Sequence, residues 1–502
     1  MYSDQPNMAS GVTETNNATV VTDIKEIPLG VRLAGEFTLS GRTVRLELID
    51  SGLTWKGQGQ TTDCHVDWDD VITAYLGGLS RGPGVKARVG VAPEEDRFTL
   101  HYIEHQKINI LRHKHVTFIG EAGQLKEWLD SVADKTGRGR PKCLLTLVNP
   151  IGGQKKGAKL YEAIVRPLFE LAGIDAKLII TERFRHAEEI AKTYDFSNVD
   201  GLIVSGGDGL FQEVLHTLIP RYNEGVDLDD PDAELKPLPF ALGTLPTGTG
   251  NGISMACHGC TDLETAALVA VRGKKHYMNV ISVHEYPGSL IGYAGVALAY
   301  GFWSDLLIKT DDSRWLKTLR YQVSMVKSIA SKKREFKVEG EYLPATRPSK
   351  DVRAGEDVPK GADSEGWMKF SGTYTGIYGM LAGFHRVADQ DKLQMNQQGA
   401  GINMLLEKQT GSLAYMKWLY KFQNMNNMVY NAEHIEEHYV KGYRFRVVES
   451  ETEETQAATE KRDELERVIS FEGEFRPTKS KSMDVRVRSR LLEFYATDYE
   501  YW

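Results

Sequence analysis

From about Leu33 to Ala133 apolar and polar positions alternate, as in Thr43-Val44-Arg45-Leu46-Glu47-Leu48 and in Arg97-Phe98-Thr99-Leu100-His101-Tyr102-Ile103. Period-two stretches broken by glycine and charge predict short antiparallel strands. The zone closes with Leu125, Trp128, Leu129 and Val132, which share one face of a helix. Residues 31–135 therefore read as a small β module, and the polar stretch Lys135–Pro141 as its linker. Beyond it the rhythm changes. Leu144–Val148, Ala176–Thr181 and Gly201–Val204 are apolar strand runs, separated by helical stripes over Gly157–Leu171, His186–Tyr194 and Leu210–Ile219. Such alternation predicts an α/β lobe over 142–275, a parallel sheet whose ligands meet the carboxyl ends of its strands. From His276 to 502 strand patterns return, with Lys337–Leu343 and Met483–Arg488 as clear alternators. Helical segments interrupt them around Trp315–Ile329 and Leu413–Phe422. Thr346–Glu365 and the acidic run Glu449–Glu464 have the make-up of exposed loops. The expectation is a mostly β second lobe, antiparallel and sandwich-like, with a substrate cleft between the lobes.

Composition narrows the function classes. The chain has 502 residues, 41% hydrophobic and 26% charged, the balance of an ordinary globular protein with room for several cores. Its net charge of −8 argues against a globally basic nucleic-acid binder. Residues 1–30 are polar and read as a loose tail without a signal peptide. Cys64, Cys143, Cys257 and Cys260 then read as reduced thiols. The most apolar stretch, Tyr293–Trp303, is too short for a bilayer-crossing helix, which takes about 20 residues. No transmembrane segment is expected, so any membrane is met from the water side.

Three glycine-rich loops follow strands of the α/β lobe. The first is Asn149-Pro150-Ile151-Gly152-Gly153-Gln154-Lys155-Lys156-Gly157, whose glycines allow close backbone approach and whose lysines suit a phosphate. It misses the Walker A pattern, because Ala158 and Lys159 follow Gly157. The second, Ser205-Gly206-Gly207-Asp208-Gly209, places one carboxylate on a tight turn, with Glu213 one turn into the following helix. A carboxylate beside bound phosphates can accept a hydroxyl proton or sit near a metal ion; an Asp in such a turn can equally cap a helix. The third is Leu245-Pro246-Thr247-Gly248-Thr249-Gly250-Asn251, glycine with small hydroxyls suited to ribose and phosphate oxygens. Three such loops on one lobe point to a nucleotide. None fits G-x-G-x-x-G, which counts against hydride transfer.

Asn-Pro-x-Gly-Gly, Gly-Gly-Asp-Gly-x-x-x-Glu-Val and Pro-x-Gly-Thr-Gly-Asn together resemble the diacylglycerol-kinase-type catalytic domain of lipid kinases. Within that group the chain is similar to the sphingosine and ceramide kinases. The shared features are Thr181-Glu182-Arg183 with His186-Ala187, Ser205–Leu210, and Gly301-Phe302-Trp303-Ser304-Asp305. The strands and helix of residues 31–135 resemble a pleckstrin-homology module, with a plain packing barrel as the alternative. The resemblance implies a two-lobed lipid kinase in which Asp208 is the general base for a lipid hydroxyl that attacks the γ-phosphate of ATP. It implies a nucleotide site of Asn149, Gly152, Gly153, Lys155, Thr181, Gly207, Gly209, Glu213, Thr247, Gly248, Thr249, Gly250 and Asn251. Arg314 and Arg320 would clamp phosphates, and Asp305 would touch the lipid head group. Glu472-Gly473-Glu474 matches an Asp-Gly-Glu hairpin involved in nucleotide and Mg²⁺ binding, with Glu474 as the candidate metal ligand and the first Asp replaced by Glu.

Lys159–Glu162, Val165–Phe169, Arg314–Leu316, Arg320-Tyr321 and Met483–Val487 lean towards ceramide as substrate. The absence of a Cys-x-x-x-Cys-x-x-Cys cluster and the form of the Thr247–Asn251 loop lean towards sphingosine. The expected partner is a sphingolipid at a membrane surface, met by a cytoplasmic, peripherally attached protein. Cys257-His258-Gly259-Cys260 is too sparse for a zinc site alone. Arg112-His113-Lys114-His115 is either a solvated strand face or a contact for anionic head groups. Met380-Leu381-Ala382 and Met404-Leu405-Leu406 read as core of the β lobe or as lining for an acyl chain. The competing readings are a non-catalytic lipid-binding adaptor and a soluble-metabolite kinase of the NAD-kinase sort.

Overall fold

The computed structural model describes residues 31–57, 64–78, 96–107, 109–153, 155–305, 333–346, 366–387, 390–395, 401–423, 432–448 and 456–497. Arg314, Arg320, the Trp315–Ile329 segment and nearly all of Thr346–Glu365 lie outside them. The chain forms two compact units, 1–67 and 68–502. The first is an antiparallel meander of β1 (Val31–Leu39), β2 (Arg42–Ile49), β3 (Gly52–Gly57) and β4 (Cys64–Asp67). Alternation in β2 buries Val44, Leu46 and Leu48, as the period-two pattern requires.

The second unit opens with the antiparallel strands β5 (Val71–Leu76), β6 (Arg97–Lys107) and β7 (Ile110–Ile119), then α1 (Ala122–Lys135). The expected face of α1 is the buried one, with Leu125, Trp128 and Val132 inside. Then come β8 (Cys143–Val148), α2 (Gly157–Leu160), a π-helical turn (Tyr161–Val165) and α3 (Arg166–Leu171). The single helix expected there is interrupted where Pro167, at the start of α3, cannot donate back into the preceding turn. β9 (Asp175–Ile180), α4 (His186–Thr193), β10 (Gly201–Gly206), α5 (Asp208–Tyr222), β11 (Ala241–Pro246), α6 (Gly252–His258) and α7 (Leu263–Arg272) complete the α/β part. β9, β8, β10 and β11 pair in parallel in that order. Leu145, Leu147, Leu202 and Val204 enter one core with α4 and α5. Leu144, Val148 and Ile203 enter the opposite core with α3 and α7. A sheet covered on both faces explains why these strands are apolar throughout.

The remaining strands are β12 (Lys275–Glu285), β13 (Leu290–Ala294), β14 (Ala297–Gly301), β15 (Phe336–Pro344), β16 (Met368–Tyr374), β17 (Gly376–Met380), β18 (Ala382–Val387), β19 (Gln390–Met395) and β20 (Ile402–Glu407). After them come α8 (Ser412–Gln423), β21 (Ile435–Val448), α9 (Gln456–Glu466), β22 (Val468–Phe471), β23 (Glu474–Pro477) and β24 (Ser482–Tyr495). Their pairings with one another are antiparallel, and Met380 and Met404 are core residues. One strand joins the two parts: β24 pairs with β12 and β21, while its Phe494 sits beside Leu242 of β11. The acidic run expected to be an exposed loop is helical at its end. α9 is built from good helix formers, and Arg462 pairs with Glu466 one turn on.

Strands β5–β7 are bolted to the α/β part. Arg112 holds Asp262, the N-cap of α7, through two bonds of 2.6 and 3.0 Å. Glu264 accepts the His113 N–H, and Arg272 pairs with Asp70 at 3.1 Å. Arg112 is therefore committed within the protein. Among the described residues no helix is long and apolar enough to cross a membrane.

Candidate active site

The three glycine loops leave the carboxyl ends of β8, β10 and β11 and meet. A Cβ on Gly153 would stand 2.4 Å from the Thr247 carbonyl oxygen, and one on Gly248 would stand 2.2 Å from the Gly207 Cα. Ser205 and Thr247 hydroxyls lie 3.2 Å apart. Glycine is required at 153 and 248 because main chain passes against main chain. Asn149 Oδ1 accepts the N–H groups of Ile151 and Gly152, shaping the first loop. Asn251 accepts from the Gly248 N–H and donates to its carbonyl, closing the third. Both side chains are occupied in building loops; exposed Lys155, Thr249 and Gly250 stand free of those bonds.

Asp208 lies at the convergence. It opens α5, and its oxygens accept the Gly252 N–H at 2.9 Å and the Ile253 N–H at 3.0 Å, the start of α6. The aspartate caps the helix of the third loop, so the second and third loops are joined through it. Burial pushes its carboxyl above the ordinary range, and these N–H bonds pull against that shift. Glu474 lies over the same turn: a Cβ on Gly209 would meet its Oε1 at 2.7 Å. Glu472 turns away. Its Oε1 accepts the N–H groups of Val296 and Ala297 at 2.6 and 3.1 Å, and burial raises its carboxyl to about 8. Glu213 accepts the Glu188 N–H at 3.0 Å, and Thr181 is buried with its hydroxyl on the Val148 carbonyl. Asp305 makes its bonds in the β lobe, gripped by Arg334 at 3.0 and 2.9 Å.

Four non-glycine residues around this edge have positive φ: Lys155 (59°), Arg185 (59°), Asn251 (56°) and Glu472 (45°). Backbone strain concentrated this way is typical of functional sites. Sequence reasoning missed Arg476, partly buried and close enough to Arg185, Glu474 and Glu188 to feel their charges. Its signal was available, since it falls two residues beyond Glu474 on a strand. It also missed His216, whose Nδ1–H donates to the Gln212 carbonyl at 2.7 Å while Nε2 accepts the Tyr293 N–H at 2.9 Å. That imidazole staples α5 to β13.

Burial holds His216 at about 4, from 6.5, and does the same to His101, His258, His284 and His434. The fold favours their neutral form, so the stability they carry is present above about pH 6.5 and is lost as the pH falls through about 4. A steep loss of thermal midpoint over that window is expected; a flat profile would contradict it.

Lys155 and the start of α5 offer a cation and a helix N-terminus at one edge, the kind of setting that suits phosphate oxygens, while the first N–H groups of α6 are taken by Asp208. No group of three His, Cys, Asp or Glu among the described residues could hold a metal unaided. Mg²⁺ fits differently, bound mainly through phosphate and water oxygens with one or two carboxylates. Glu474, over the Asp208 turn, is one carboxylate of that kind; Glu472, also near Asp208, has its Oε1 on the backbone of residues 296–297.

Residues 143–283, which hold the parallel sheet, the three loops and the Asp208 turn, match the diacylglycerol kinase catalytic domain. The chain is 34% identical over 269 residues to a ceramide kinase of Mus musculus, covering 51% of this chain and 50% of that one. It is 36% identical over 239 residues to a Homo sapiens ceramide kinase (47% and 44% covered). It is 30% identical over 231 residues to sphingosine kinase 1 of Rattus norvegicus (44% and 57% covered). The chain thus spans about half the length of the curated relatives it matches. A diacylglycerol kinase structure from Bacillus anthracis aligns with TM-score 0.46 at 16% identity, over 71% of this chain and 98% of that one.

Proposed function

We propose that the protein is an ATP-dependent lipid kinase that phosphorylates the primary hydroxyl of a sphingolipid, ceramide foremost. The observation that carries this reading is the junction of three glycine loops around one carboxylate, Asp208, at the mouth of the parallel sheet. In the proposed reaction Asp208 accepts the hydroxyl proton. The hydroxyl oxygen bonds to the γ-phosphorus, the bond from that phosphorus to the β–γ bridging oxygen breaks, and ADP leaves with the electron pair. Loop N–H groups and Lys155 hold the phosphates in line. Mg²⁺, held by phosphate oxygens with Glu474, would neutralise charge on the β- and γ-phosphates.

Ceramide is favoured over sphingosine by the state of Asp305. Sphingosine carries an ammonium, which calls for an uncompensated carboxylate, whereas ceramide offers a neutral amide. If Asp305 faces the head group, Arg334 has already neutralised it. Arg334→Gln is expected to raise the sphingosine-to-ceramide ratio of kcat/KM about tenfold, the scale of one charged hydrogen bond. An unchanged ratio would remove Asp305 from head-group selection. The activity itself is tested with labelled ATP, Mg²⁺ and detergent-dispersed ceramide, sphingosine, diacylglycerol or NAD. Label in ceramide supports the proposal; label in NAD alone overturns it.

A further inference from the structure

The loops that leave β8 and β9 carry exposed apolar side chains. Ile151 is 73% exposed and Phe184 90% exposed, the two highest values among the large hydrophobic residues described. β8 and β9 pair in parallel with Val148 opposite Ile180, and the Thr181 N–H donates to the Val148 carbonyl at 2.9 Å. The two loops therefore depart side by side from the edge that holds Asp208. Phe184 is fixed in place by its neighbours. Arg185 adopts positive φ ahead of α4, and the Glu182 N–H donates to His186 Nδ1 at 3.0 Å, folding 182–186 into a turn.

Single exposed apolar residues are ordinary. Two on adjacent loops, interleaved with Lys156, Arg183 and Arg185, form a different pattern: apolar tips set among cations, as at water–lipid boundaries. Within the two loops the only carboxylate is Glu182. Arg183 and Arg185 also reach Glu189 and Glu188 of α4, but a guanidinium has five donors and keeps capacity for phosphate oxygens.

We propose that this edge is a membrane-docking lip. Phe184 and Ile151 enter the head-group boundary of an anionic leaflet while Lys156, Arg183 and Arg185 meet lipid phosphates, so that the site reaches its substrate at the bilayer. The proposal rests on the lipid-kinase reading, since a soluble substrate would require no such contact.

The full chain is sedimented with phosphatidylcholine vesicles, with and without phosphatidylserine. Phe184→Asp is expected to lower partitioning about tenfold or more, Phe184→Trp to preserve it, and phosphatidylserine to increase it. In parallel, Phe184→Asp should lose activity on vesicle-borne ceramide and keep it on a short-chain ceramide dispersed as monomer. Partitioning unchanged by Phe184→Asp overturns the lip, as does equal loss on both substrates, which would place Phe184 in the site instead. Loss of self-association in that variant without loss of vesicle binding overturns it in favour of a second copy of the chain. Inactivity of the wild type on every lipid overturns the kinase reading, while sedimentation still reads the lip by itself.

Discussion

Asp208→Asn is expected to lower kcat by about 10²- to 10⁴-fold, the range assigned to a positioned general base. Two opposed effects act on the carboxylate. Burial favours its protonated form, while the N–H groups of Gly252 and Ile253 favour the ionised one. The net upward shift makes it a better proton acceptor than an exposed aspartate. It also predicts an acid limb in the pH profile, with activity falling as the pH drops through the raised value, because the protonated carboxyl cannot accept. Asparagine keeps one acceptor oxygen and nearly the same shape, so α6 loses one bond, worth about 1 kcal/mol. The measurement is kcat beside nucleotide affinity and thermal midpoint. A large loss in kcat with affinity retained supports proton acceptance. A loss that tracks the midpoint would make Asp208 a helix cap only, and activity within a few-fold of wild type would move the base elsewhere.

The loops and the α/β alternation were readable because they are local. Glycine spacing, apolar runs and helical stripes each report on a few neighbouring residues, and β8, β9, α4, β10 and α5 fall where those signals place them. What escaped the sequence depends on residues far apart. Nothing near Asp305 announces Arg334, 29 residues on. The union of both sheets through β24 is invisible in a strand whose own alternation looks ordinary. Glu472 and Glu474 look alike on paper, yet one binds the backbone of residues 296–297 and the other covers Gly209. The α9 helix was misread because a run of charge resembles a solvated loop unless its one-turn pairs and helix propensity are weighed. The exposure of Phe184 follows from a backbone turn that composition does not specify.

Gly248→Ala is expected to be nearly as damaging as loss of the carboxylate, for a purely steric reason. Its Cβ would stand 2.2 Å from the Gly207 Cα, 2.5 Å from the Gly207 nitrogen and 3.0 Å from the Gly206 carbonyl carbon. All three are main chain, so no rotamer relieves the overlap and the second and third loops must part. Because Asp208 follows Gly207 directly and caps α6 beyond the third loop, parting them moves the carboxylate relative to any nucleotide. A displacement of about 1 Å at a reacting group costs roughly 10²-fold, and overpacking typically costs about 1–3 kcal/mol of stability. Gly152 is the internal control. The nearest atoms to its Cβ would be those of the Asn149 side chain, no closer than 3.4 Å, an ordinary contact. Gly248→Ala should therefore lower kcat/KM for ATP by about 10²-fold or more, while Gly152→Ala changes it little. Equal tolerance of alanine at both positions would mean that the loops are not in contact, and the case for one shared site would fall with it.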